Sequence, residues 1–347
     1  MNTKRILTIG PRYYKDNSKT GGIVVLFENW IEFCHHQNIP ITIIDTTKPN
    51  YKNIICAYFS ILLQFFRNLR THDIIFLHGT FKDYLYIAPI LCLFAKYSNK
   101  KFYLRKFAGD FEARFNASSK LRKAILKKLI QKADITFWET KSLVQFGKQF
   151  NNNSIWFPNV RKQTSLPKQE FSYSKRFVFI SQVKKEKGID ILLETFKELD
   201  DSFHLDIYGP LMGYTIEQLN TRNTSYTRQL KPEEVTLKLK EYDMLLLPTY
   251  WEGEGYPGII IEALSVGVPT IATLWGGISE IVEHNYNGIL IPPKDSKALE
   301  KVIKSINTTS FQQISINAIK SFDQFDSIKT NNRILSYLYN SYDNKNN

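Results

Sequence analysis

The chain has 347 residues, 43% hydrophobic and 14% aromatic, and its 46 Lys and Arg against 33 Asp and Glu give a formal net charge of +13. So apolar a composition excludes a disordered basic protein, and the length exceeds that of one small domain. The charge is lopsided: residues 1–160 carry 24 basic against 10 acidic side chains, residues 161–347 carry 22 against 23, and the whole excess belongs to the first half.

Before Gly10 and Pro11 the N-terminus has only the short apolar run 6–9, without the long apolar core and small-residue cleavage site of a secretory signal. A cytoplasmic protein is expected. β-branched apolar runs then recur at 5–9, 41–45, 73–77, 101–104, 135–138 and 154–157, separated by stretches long enough for helices. Continuous apolar strands alternating with helices predict an α/β protein with a doubly wound parallel sheet covered on both faces. Ligands of such sheets bind beyond the carboxyl ends of the strands, so the residues just after each run are the candidate site positions. The longer apolar stretches 54–66 and 84–94 fall short of the ~20 residues of a membrane-spanning helix and are predicted as buried helices. Cys34, Cys56 and Cys92 cannot all pair with one another and lack zinc-site spacing, so neither a disulfide scaffold nor a zinc finger is expected.

A second series of runs, 177–180, 204–208, 244–247, 270–272 and 288–291, repeats the architecture after a polar, proline-containing stretch at 161–174. The expected domains are therefore 1–165 and 166–324, with a C-terminal helix over about 325–342 that packs back on the first.

The most informative segment is 245–291. A buried strand ends at Leu247, a loop carrying Gly253, Gly255 and Gly258 follows, and a helix starts near Pro257 to Ile259. Such a loop presents backbone N–H groups beside the positive end of a helix dipole, a ready site for a diphosphate or for sugar hydroxyls. Glu262 lies one helical turn in, on a face that a ribose would reach.

This arrangement resembles the retaining glycosyltransferases of the two-Rossmann-domain (GT-B) class, glycosyltransferase family 4 or group 1. The pair Glu254 and Glu262, seven residues between them, matches the family's hallmark. It is followed by the turn Val266-Gly267-Val268-Pro269, by Gly276-Gly277-Ile278-Ser279-Glu280, and by Asn287-Gly288 before the next strand. The resemblance implies two Rossmann-like domains facing a cleft, the second holding the nucleotide sugar. It also implies Glu262 on the ribose, and Glu254 with Gly255, Tyr256, Pro257 and Gly258 at the donor sugar.

Upstream, Lys187 falls on the family's phosphate lysine, where an ammonium neutralises charge building on the leaving diphosphate. The family's arginine five residues earlier is replaced by Gln182, so either Lys184 or Lys185 compensates or the donor site is weakened. In the first half, Gly21 and Gly22 resemble the glycine pair that approaches the diphosphate, and Arg105 occupies a strand end on the acceptor side. His78 or Asp110 is implied to orient the acceptor hydroxyl; a loop histidine bonded to backbone and a helix-capping aspartate are the alternatives.

No Asp-x-Asp triplet occurs, so no metal or other cofactor is expected, and backbone amides with Lys187 take the place of a divalent ion. Neither a Gly-x-Gly-x-x-Gly after the first strand nor a Walker loop is present. No nucleic-acid module accompanies the net charge, and nucleic acid is not an expected partner. The positive charge concentrates at 120–132, where Leu121, Ala124, Ile125 and Leu129 form one helical stripe among Lys120, Arg122, Lys123, Lys127 and Lys128. A basic amphipathic helix reads as membrane-surface binding, each basic side chain contributing ~1 kcal/mol near an anionic leaflet. The stripe packing on the sheet is the plainer reading, and the two are compatible.

The expectation is a retaining, metal-independent hexosyltransferase using a UDP-, GDP- or ADP-sugar. Its acceptor is a lipid-linked saccharide in the assembly of a capsule, O-antigen or exopolysaccharide, at the inner face of the cell membrane. The alternative, prompted by Gln182, is a catalytically weak nucleotide-sugar-binding or scaffold subunit of a glycan-assembly complex.

Overall fold

Fully buried strands need apolar side chains on both faces, and the continuous runs of the sequence become two six-stranded parallel sheets. The computed structural model describes residues 4–14 and 22–343. They fall into two units, Met1–Asn159 with Ser327–Asn347, and Val160–Asp326. The division lies at 159/160, not at 165/166. The polar stretch 161–174 belongs to the second unit because its polar groups are used there: the Lys168 amide donates to the Val266 carbonyl, and Ser174 is held by Asp243.

The first unit runs β1 (Ile6–Gly10), α1 (Gly22–His36), β2 (Ile41–Asp45), α2 (Ile54–Leu69), β3 (Ile74–Gly79), α3 (Phe81–Tyr86) and α4 (Ala88–Tyr97). It continues with β4 (Lys101–Lys106), α5 (Phe111–Asn116), α6 (Lys120–Lys132), β5 (Ile135–Trp138), α7 (Lys141–Lys148) and β6 (Ser154–Trp156). The strand order is β2-β1-β3-β4-β5-β6, all parallel, with Ile6 opposite both Ile41 and Ile74. The apolar stretch 84–94 is split between α3 and α4, since Pro89 sits in the first turn of α4, where a missing N–H costs nothing.

Helices α2, α4 and α6 lie side by side, and their inner side chains Ile61, Phe65, Leu91, Leu126 and Ile130 pack with Leu7, Leu77 and Leu104 of the sheet. The prediction of buried helices is corrected in one respect. Only one face of α2 and α4 is buried; Ile55, Phe59, Leu93 and Tyr97 on the opposite faces are exposed. In α6 the buried stripe is Leu126, Leu129 and Ile130, whereas Leu121 and Ala124 face outward. The helix is rotated from the predicted stripe because apolar residues occupy both sides of it.

The second unit runs β7 (Arg176–Ile180), α8 (Ile189–Lys197), β8 (His204–Tyr208), α9 (Ile216–Leu219), β9 (Thr224–Tyr226), α10 (Val235–Leu239) and β10 (Met244–Leu247). Then follow α11 (Gly258–Ser265), β11 (Thr270–Thr273), β12 (Gly288–Ile291), α12 (Ser296–Ser305) and α13 (Thr308–Phe322). Its strands are ordered β12-β11-β10-β7-β8-β9, again all parallel. α14 (Ser327–Asp343) then completes the first unit. It packs beside α1, buries Ile334 and Leu338, and receives the Tyr103 hydroxyl at the Leu338 carbonyl, 3.1 Å away.

Candidate functional site

The carboxyl ends of β7, β10 and β11 lie at one edge of the second sheet, and the loops that leave them meet there. Lys187, in the loop after β7, donates to Glu254 Oε2 across 2.5 Å. Thr249 Oγ1, just after β10, donates to the same oxygen at 2.8 Å. Two glycines make this approach feasible. Gly188 has φ +87, and a Cβ on it would stand 2.3 Å from the Pro248 carbonyl oxygen. Gly276 has φ +52, and its Cβ would stand 2.4 Å from the Glu254 carbonyl oxygen. Neither position admits a side chain without moving backbone.

Glu254 therefore sits at the junction of three loops, with a lysine on its carboxylate. A second lysine is close by. Lys184 Nζ lies 3.3 Å from the centroid of the Trp251 ring, and burial together with the neighbouring Lys187 charge pulls its pKa below the ordinary lysine value. Lys185 instead points to solvent, 3.8 Å from Asp190, and Gln182 is exposed. Of the two candidates to replace the missing arginine, Lys184 is the one beside Lys187.

Gly255, Tyr256 and Pro257 are buried in the loop that leads into α11, and Gly258 opens the helix. The Pro257 side chain caps none of the first-turn amides, and its carbonyl accepts from the Ile260 amide at 3.1 Å. Tyr256 is fixed by its hydroxyl, which donates to Glu280 Oε2 at 2.6 Å. On α11, Glu262 Oε1 accepts from Arg161 Nε at 2.6 Å, with both side chains largely shielded from water. A helix N-terminus with two ammonium groups near it suits a diphosphate, and a carboxylate one turn further on suits vicinal hydroxyls. The structure thus brings Lys187, Glu254, Gly255, Tyr256, Pro257 and Gly258 together, with Glu262 on the adjoining helix.

In the first unit the predicted residues fare differently. Gly21 lies outside the described residues, and Gly22 begins α1 with open space beside its Cα. His78 is corrected: β3 runs on through it, and it is fully buried among Phe27, Trp30 and Phe76, the last with ring centroids 4.0 Å apart. Among the described residues neither ring nitrogen has a hydrogen-bond partner, and burial holds its pKa well below 6.5. A neutral ring enclosed in this way does not orient an acceptor. Arg105 is likewise buried, its guanidinium 3.4 Å from the centroid of Phe157 and donating to the Pro158 carbonyl, so it is a core group rather than an acceptor-side one. Asp110 reaches the surface but is ion-paired with Arg114 at 2.5 Å and Lys106 at 3.6 Å, and makes no side-chain cap to α5. Lys123 lies 6.0 Å from the Phe115 ring centroid, whereas Lys127 and Lys128 are exposed.

Sequence reasoning missed Arg161, Thr249 and Trp251. Arg161 carries no local signal, since its partner is 101 residues away. Thr249 and Trp251 stand in the glycine-bearing loop after Leu247, and their types, a hydroxyl donor and a cation-binding ring, are the clue the sequence offers.

Residues 161–319 match the family model described as Glycosyl transferases group 1. The chain is 30% identical over 200 residues to TuaC of Bacillus subtilis (strain 168), named for teichuronic acid biosynthesis, a stretch covering 56% of this chain and 49% of TuaC. It is 31% identical over 143 residues to the amylovoran biosynthesis glycosyltransferase AmsK of Erwinia amylovora, covering 37% of this chain and 35% of AmsK. The matches span about half of TuaC and about a third of AmsK. Among solved structures, HepE of Anabaena in complex with UDP superposes with a TM-score of 0.74 over 97% of this chain and 100% of its own, at 15% identity. At that identity the similarity speaks to fold, and the fold is the GT-B one of two Rossmann-like units.

Proposed function

We propose that this chain, whose residues 161–319 match the family model of group 1 glycosyl transferases, is a retaining glycosyltransferase. It moves a hexose from a nucleotide diphosphate sugar to a lipid-linked acceptor in surface polysaccharide assembly. The observation that carries this reading is the Lys187–Glu254 pair, seated against Gly188 and Gly276 at the strand ends beside the start of α11. The polysaccharide setting rests on what TuaC and AmsK are named for, and the choice of UDP as first donor to test rests on the HepE complex.

In this reading Lys187 and Lys184 face the diphosphate with the first amides of α11, Glu262 takes the ribose hydroxyls, and Glu254 takes hydroxyls of the donor sugar. The acceptor oxygen bonds to the anomeric carbon on the face from which the diphosphate departs, and its proton passes to the departing phosphate oxygen. No enzyme nucleophile and no metal ion is then required, because the cationic groups stabilise the charge that develops on the leaving group. The enzyme acts at the inner face of the cell membrane, where a lipid-linked acceptor is found.

Glu262→Ala and Lys187→Ala each remove most sugar transfer while circular dichroism stays unchanged; full activity in either variant would sink the assignment. Gln182 favours a second reading, a nucleotide-sugar-binding subunit with little turnover. Donor hydrolysis by the purified protein separates the two, and Lys184 on Trp251, supplying the charge that Gln182 lacks, speaks for the enzyme.

A further inference from the structure

We propose that the outer face of α2 and α4 in the first unit is a membrane-docking surface that lies in the plane of an anionic bilayer with its apolar side chains immersed. The inference rests on this face alone and uses none of the donor-site assignments.

Helix α2 buries Ala57, Ile61, Phe65 and Leu69, a stripe with a spacing of four. A globular helix carries polar residues on the other side. This one carries Ile55, Phe59, Leu63 and Phe66, again at helical spacing, with Ile55 76% and Phe59 69% exposed. Helix α4 repeats the pattern: Ala88, Leu91, Cys92 and Ala95 face inward, while Ile90, Leu93, Phe94 and Tyr97 face outward, Leu93 56% and Tyr97 87% exposed. The Phe66 and Phe94 rings meet edge to face with centroids 4.8 Å apart, so the two stripes form one patch. Scattered surface apolar residues need no explanation, but two adjoining stripes do.

The charge around the patch selects the occupant. Not one Asp or Glu occurs in α2, α4 or α6. Next to α4, Leu93 shares a groove with Ile125, Lys128 and Lys132 of α6, and Lys127 is exposed beside them. A second groove, of about 580 Å³, runs along α2 between Ile54, Tyr58, Leu62 and Ile90, with Lys48 and Lys82 in its lining. Lys48 is ion-paired with Asp83 at 3.6 Å and Lys96 with Asp134, whereas Lys127 and Lys128 of α6 are exposed. Apolar side chains flanked by such exposed cations complement acyl chains beneath anionic phosphates. A protein partner would have to bury those cations or match each with an acid. Among the described residues no helix is long and apolar enough to cross a membrane, so the helices lie in the interface rather than span it. The basic helix α6 is then the electrostatic flank of the surface, and α2 with α4 is its anchor.

The test is co-sedimentation with vesicles of phosphatidylcholine alone and of phosphatidylcholine mixed with phosphatidylglycerol. Wild type sediments with the mixed vesicles. Phe59→Ser combined with Leu93→Ser lowers that binding by about tenfold or more, because it removes immersed area rather than charge, while the thermal shift given by UDP, which reports the second unit, stays at its wild-type value. Lys127→Glu combined with Lys128→Glu weakens binding in a salt-sensitive way. Cys56, the exposed one of the three cysteines, lies on α2 between Ile55 and Phe59 and takes an environment-sensitive label whose emission rises on immersion. Wild-type vesicle binding in the serine variant, or a label blind to vesicles, overturns the proposal. So does a wild type that ignores vesicles and sediments as a dimer that the serine variant dissociates, since the face then belongs to a second copy of the chain. A lost UDP shift in wild type would instead count against the donor-site reading and leave the docking surface standing.

Discussion

Arg161 Nε donates to Glu262 Oε1 at 2.6 Å, so the first turn of chain in the second unit fixes a carboxylate on α11. A binding carboxylate held in place loses less entropy when a ligand arrives. Arg161→Ala should therefore raise KM for the nucleotide sugar by about tenfold with kcat nearly unchanged, and Arg161→Lys should restore only part, because an ammonium lacks the planar fork. Steady-state kinetics at varied donor decide the matter; an unaltered KM would mean that Glu262 needs no such support.

Lys184 on the Trp251 ring is assigned the charge that Gln182 does not bring. Lys184→Ala should lower kcat by about a hundredfold, the size of effect seen when one donor to a developing anion is removed. Gln182→Arg introduced into that variant should recover part of the loss. Recovery is the informative arm, since a merely structural lysine would not be replaced from a different position.

Gly276, at φ +52 and pressed against the Glu254 carbonyl, predicts a backbone penalty. Gly276→Ala should cost roughly 1–3 kcal/mol of stability, read as a fall in the urea midpoint, and should reduce activity through the displaced Glu254. Retention of both would show that the loop relaxes without disturbing the carboxylate.

His78 gives the pH prediction. Burial holds its pKa well below the 6.5 of a free imidazole, so below about pH 6.5 the unfolded chain takes up a proton that the folded one refuses. Stability therefore falls as pH drops through that value and is unaffected by this group above it. His72, also depressed by burial, contributes in the same direction. His78→Phe, which keeps the aromatic packing, should flatten the acid limb of the stability curve measured by denaturant titration between pH 7.5 and 5.

The strands and the glycine-bearing loop after β10 were legible because each is local in the chain. A strand buried on both faces is a continuous apolar run, and Glu254, Glu262 and the glycine turns are fixed by spacing within one segment. β9, Thr224–Tyr226, escaped notice because it is a short edge strand, Thr-Ser-Tyr, paired only with β8. The setting of His78 was misread because β3 continues two residues past its last aliphatic side chain, which turns an apparent loop histidine into a core one. Arg161 with Glu262 and Lys184 with Trp251 were unreadable for a different reason: such pairs are made by the tertiary fold, across 101 residues in the first case, and leave no periodic trace. The rotation of α6 was undetermined in principle, since Leu121 and Ile125 are as apolar as the Leu126 and Ile130 that won the core.

Helix α14 gives the first unit a particular history during synthesis. The partners that Ile334 and Leu338 cover are made early, yet the covering segment leaves the ribosome only after all of 160–326 has been translated. Until then the α1 side of the first sheet lacks its final layer, and the Tyr103 hydroxyl lacks the Leu338 carbonyl. The second unit, encoded without interruption, is complete in sequence before the first one is. The half of the chain that starts folding first is thus the half that finishes last.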